Sequence, residues 1–157
     1  MSTHPERIVR IFALGSPHGD DRVAWIIAEQ LSQSPAFRPF VHTLATPWDL
    51  VERLPADCSV IVIDACVGCA APGSVSRISE RELATSPLAR QSTHGGSLLD
   101  SIALARALGR TIRELVVFAV AVESCEPGAE MSESAHDAVD DAVRQVGDLL
   151  SEWLPKR

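Results

Sequence analysis

Positive charge is scarce in this 157-residue chain: 14 Lys and Arg stand against 21 Asp and Glu, a formal net charge of −7. That balance excludes nonspecific attraction to nucleic acid or to an anionic membrane surface and makes a cationic partner surface the better match. Long apolar runs are missing too. No stretch approaches the roughly 18 residues that a membrane-spanning helix needs. The segment Met1-Ser2-Thr3-His4-Pro5-Glu6-Arg7 carries no apolar signal core, so a cytoplasmic location is expected. Cysteine is present only four times, which excludes a secreted disulfide framework. Linkers, repeats and low-complexity tracts are absent. So are a Gly-x-Ser-x-Gly elbow, a Gly-x-Gly-x-x-Gly turn and a Gly-Lys-Ser/Thr phosphate loop, which removes the commonest nucleophile and nucleotide signatures.

What is there reads as one soluble globular domain over residues 1–157, with 46% hydrophobic and 22% charged residues. Short apolar runs alternate with amphipathic segments. Ile8 to Leu14 is rich in β-formers and stops at Gly15; Val41 to Leu44 gives a shorter strand. Cys58 to Asp64 is the most apolar run and suits a parallel strand covered on both faces, as does Glu114 to Val122. Ser74 to Ser79 alternates like an edge strand. Helical spacing appears from Asp20 or Asp21 to about Ser32. It returns from Ser97 to Leu108, with Leu98, Ile102, Ala105 and Leu108 on one stripe, and from Ser132 to Leu154, with Ser132 as its cap. A short helix after Pro47, capped by Thr46, connects the second and third strands. The pattern predicts an α/β fold: a three-layer α-β-α sandwich around a twisted, mostly parallel five-stranded sheet.

In such sheets the ligand crevice lies beyond the carboxyl ends of the strands. That end receives Gly15-Ser16-Pro17-His18-Gly19-Asp20-Asp21 after the first strand, Asp64 at the end of the third, and His94 ahead of a helix. Two carboxylates and an imidazole form a site suited to Ni, Zn, Mn or Fe, with room for exogenous ligands. Plainer readings exist for each: a helix cap for the acid pair, a strand terminus bonding nearby amides for Asp64, and a loop histidine beside Gly95 and Gly96 for His94. Cys66-Val67-Gly68-Cys69 is a redox or soft-metal spacing, but no second pair completes a zinc site, and a loop of small residues is the simpler account.

The glycine-loop-acid segment Gly15 to Asp21 resembles the opening motif of the hydrogenase maturation proteases, which trim the C-terminal tail of the large subunit of [NiFe] hydrogenases. The resemblance continues in order. Val62-Ile63-Asp64-Ala65 with Ala71-Pro72-Gly73-Ser74-Val75 is similar to the second acidic motif, and Ser92-Thr93-His94 through Leu98-Leu99 to the histidine segment. Val117-Phe118-Ala119-Val120 with Glu123-Ser124, Pro127-Gly128 and Met131-Ser132 is similar to the last strand, loop and helix start. Three departures stand out: Ser16 where the family has Asn, a loop one residue shorter, and Ala24-Trp25 where a glycine follows the acids.

The resemblance implies a metal-dependent endopeptidase that removes the C-terminal extension of a [NiFe] hydrogenase large-subunit precursor. Nickel supplied by the substrate would be recognised by Asp21, Asp64 and His94, with Asp20 capping the helix. It also implies a monomer whose partner is that precursor, with no nucleic acid or membrane. A metal ion activates water and stabilises the oxyanion, so no serine or cysteine nucleophile is required. The alternative from another class is a non-catalytic, chaperone-like module that senses the metal-loaded partner without cutting it.

Overall fold

Apolar residues that alternate in direction along each strand need cover on both faces, and the helices between the strands supply it. The computed structural model describes residues 7–88 and 97–156. Its strands are β1 (Val9–Leu14), β2 (Val41–Leu44), β3 (Asp57–Val67), β4 (Val75–Ser79) and β5 (Thr111–Val122). The helices are α1 (Val23–Gln33), α2 (Trp48–Arg53), α3 (Glu80–Leu83), α4 (Ser97–Ala107) and α5 (Glu133–Trp153), with 3-10 turns at Gly19–Arg22 and Arg38–Phe40. The strands form one sheet in the order β2-β1-β3-β5-β4. Only β4, on the edge, runs antiparallel to its neighbour.

One face carries Val9, Ile11 and Ala13 of β1, Ile61 and Ile63 of β3, and Phe118 and Val120 of β5. They pack with Ile27 and Leu31 of α1 and Val139, Val146 and Leu150 of α5. The other face carries Phe12, Leu14, Val60, Val62 and Val117 against Leu50 of α2, Leu83 of α3, and Leu98 and Ile102 of α4. The expected five-stranded, mostly parallel α/β sandwich is therefore the observed one.

Local differences have local causes. β3 runs on to Val67, three residues past Asp64, because Asp64, Ala65, Cys66 and Val67 keep pairing with Ala119 to Val122. Thr46 does not cap α2, which begins at Trp48 after Pro47; its Oγ1 accepts from Trp48 N at 3.3 Å. Leu108 leaves the buried stripe of α4 and is 65% exposed, since the helix ends at Ala107. Ser132 does cap α5, its Oγ accepting from Ala135 N. Cys66, expected in a loop, lies in β3, and its sulfur stands close to that of Cys69, with Cα atoms 5.9 Å apart.

Candidate active site

β1 ends beside Asp64, while β3 continues for three more residues alongside β5. Ala13 pairs with Ile63, so the next step along β3 sets Asp64 beside the point where β1 gives way to its loop. Asp64 is completely buried in the sheet, yet it belongs to the strand end at which α/β folds place their ligands.

The loop after β1 folds tightly back on itself. Gly15 N donates to Leu44 O, and Ser16 N to Asp21 O at 3.3 Å. A Cβ at Gly15 would stand 2.7 Å from the Asp21 carbonyl oxygen and 2.9 Å from Trp25 Cδ1, so glycine is required by close approach. Trp25 secures the same corner by donating from Nε1 to Leu44 O. Gly19 enters the 3-10 turn at φ +51°, where a side chain would be strained and would meet Ser124 O and Glu126 O at 3.1 and 3.2 Å.

That turn buries both of its carboxylates, leaving Asp20 1% and Asp21 5% exposed. Asp20 was expected to cap the following helix; instead it holds the distant loop after β5. Its Oδ2 accepts from Glu123 N at 3.0 Å, Ser124 N at 3.3 Å and Ser132 Oγ at 2.9 Å, and its Oδ1 from Ser132 N at 2.6 Å. The Asp20 backbone N donates to Ser124 O in the same joint. Burial raises the carboxyl pKa, but the hydrogen bonds from Ser132, Ser124 and Glu123 outweigh it and hold Asp20 below its ordinary value. One residue thus locks the β1 loop to the start of α5, and its neighbour Asp21 inherits a fixed position.

Cys125 lies in the loop that Asp20 holds. Burial first, and then the charges of Asp21, Asp20 and Asp64, push its thiol up to about 12. The three carboxylates thus lie in the same part of the molecule as Cys125, near enough for their charges to act on its thiol, although 42 residues of chain separate Asp21 from Asp64. At neutral pH that thiol stays protonated and is no nucleophile. His18 is exposed at the entry to the turn. His94 lies outside the described residues, and among the described residues no group of three or more His, Cys, Asp or Glu side chains is set to hold a metal.

Sequence reasoning missed Cys125 and the Ser132–Asp20 link. The same strand-end rule that selected Asp64 applies to the loop after β5, and applying it there would have flagged Cys125.

Fold and site together define an α/β protein with buried acids at the carboxyl end of its sheet, and its fold is that of known endopeptidases. The chain is similar to the hydrogenase maturating endopeptidase HybD of E. coli, with a TM-score of 0.75 at 24% identity over 93% of each chain. It is likewise similar to the [NiFe] hydrogenase maturation protease HybD of Thermococcus kodakarensis, with a TM-score of 0.72 at 21% identity over 90% of this chain and 98% of the other. The family model described as HycI, hydrogenase maturation protease, matches residues 27–148. The chain belongs to the hydrogenase maturation protease family. That match includes Asp64 and His94 and begins after Asp21. No curated protein matches the chain in sequence. Among the described residues no helix is long and apolar enough to cross a membrane.

Proposed function

We propose that this protein is the endopeptidase that removes the C-terminal extension of a [NiFe] hydrogenase large-subunit precursor, and that it recognises nickel already installed in that substrate. Family membership supports the reaction class. The observation that carries the site is the burial of Asp21 and Asp64 at neighbouring places, Asp64 beside the end of β1 and Asp21 in the turn that follows β1. Two carboxylates together with the imidazole of His94 make a mixed oxygen and nitrogen donor set suited to a borderline divalent ion.

In this reading Asp21 and Asp64 supply carboxylate oxygens and His94 supplies an imidazole from the segment ahead of α4. Asp20 touches no substrate and positions Asp21. Nickel held there by the substrate would supply polarisation of the scissile carbonyl and activation of the attacking water, while these side chains would hold and orient it.

Asp21→Asn, Asp64→Asn and His94→Ala are each expected to abolish release of the C-terminal peptide from nickel-loaded precursor, followed by mass spectrometry, while circular dichroism stays native. Full processing by any one of them would remove that residue from the site.

A further inference from the structure

A cavity of about 300 Å³ opens between β4, α3 and the turn that follows α3, and nothing in the chemistry above uses it. Its walls include Cys69, Ser76, Ile78, Ser86, Leu88 and Ala119. The sheet register ties it to Asp64. Asp64 pairs with Ala119, and Ala119 pairs with Ser76, so the three stand in one cross-strand row with side chains on one face. Two strand spacings put Ser76 about 10 Å from Asp64, the reach of about three residues of extended chain.

Among the described residues the same wall has an open backbone edge. β4 is the last strand of the sheet, with β5 on its other side. Ala121 N donates to Ser74 O, so the alternation of an antiparallel pair turns the amides of Ser76 and Ile78 toward β5 and those of Val75 and Arg77 away from it. Ser79, next in that outward series, has its N–H taken by Glu82 Oε2 at 2.9 Å, which closes the edge at the α3 end. Arg77 lines the cavity together with Ser76 and Ile78. Consecutive strand residues face opposite sides, so the cavity follows the free edge as well as the face. Ser86 Oγ, in its wall, is buried without a hydrogen-bond partner among the described residues. A buried unpaired hydroxyl is costly and calls for a polar partner.

We infer that this cavity and the Val75–Arg77 edge form a subsite for an extended peptide, which adds as a strand to β4 and inserts one apolar side chain beside Ile78 and Leu88. A peptide main chain supplies what the edge and Ser86 lack, and an apolar side chain suits the rest of the wall. The inference rests on the proteolytic reading above: an added strand lies three strand spacings, about 14 Å, from Asp64, so the occupant is a precursor segment about four or more residues from the scissile bond.

Hydrogen exchange of the full chain, followed by mass spectrometry, tests it with nickel-loaded precursor and with the same subunit lacking its extension. The precursor is expected to slow exchange across residues 75–79 by about tenfold or more, and the extension-free subunit to leave it unchanged. Ser76→Phe, at an exposed position, should erase that protection and raise KM by about tenfold with an unchanged melting temperature. Ser86→Ala should raise KM without loss of stability. Cleavage with unchanged exchange at 75–79, or unchanged KM in Ser76→Phe, overturns the subsite alone. Protection without cleavage overturns the proteolytic reading and keeps the peptide site; neither cleavage nor protection overturns both.

Discussion

Asp20 and Asp21 are adjacent in sequence and opposite in role. Asp20 is consumed by three backbone amides and a hydroxyl on residues 103 to 112 positions away, a fixed acceptor in the architecture. Removing it leaves buried donors unpaired, so Asp20→Ala should cost about 3 kcal/mol in urea denaturation; a loss under about 1 kcal/mol would show that the joint is not structural. Gly15 is the second such residue. Gly15→Ala drives a Cβ into the Asp21 carbonyl and Trp25, and should destabilise by about 2 kcal/mol while reducing processing, both readable on one purified sample. The acid pair was legible because it sits where an apolar run meets a glycine. The structural role of Asp20 followed from the resemblance, but its partners were not legible, because Glu123, Ser124 and Ser132 reach Asp20 only through the tertiary fold. Cys125 was overlooked for the same reason: its carboxylate neighbours come from two other loops and strands.

At the scale of elements, periodicity identified all five strands, because continuous apolar runs and period-two alternation survive in the sequence whatever packs on them. Boundaries followed longer-range pairing. β3 overran Asp64 because β5 continued beside it, and α4 shed Leu108 because the helix stopped first. The shortest strand carries a pH signature. His42 on β2 stacks on Phe12 at 5.6 Å between ring centroids, and its Nε2 is buried without a partner among the described residues. Burial, then Arg10 and Arg53, lower its pKa below 6.5. The unfolded chain therefore binds more protons in that window, and stability falls as pH drops through the unfolded value near 6.5. Melting curves from about pH 7.5 to about pH 5.5 should show wild type losing more than His42→Phe. Equal loss in both would mean that His42 contributes nothing to the acid limb.

For the whole molecule, the order of strands and the direction of β4 decide what the sheet can do. Three parallel strands, β1, β3 and β5, bring their carboxyl ends and following loops to one edge, the edge that carries Asp21, Asp64 and Cys125. Antiparallel β4 lays a free backbone edge beside the same row as Asp64. Alternation of strands and helices made the fold class legible, while the approach of Cys66 to Cys69 depended on a turn that spacing alone does not specify. Net charge of −7 likewise favours a partner of opposite sign over nucleic acid. The central claim is that nickel carried by the precursor licenses cleavage. The most direct measurement is mass spectrometry of one precursor, prepared with and without nickel, after incubation with wild-type protein. Release of the C-terminal peptide from the nickel-loaded form alone is the predicted result. Equal release from both forms would contradict it.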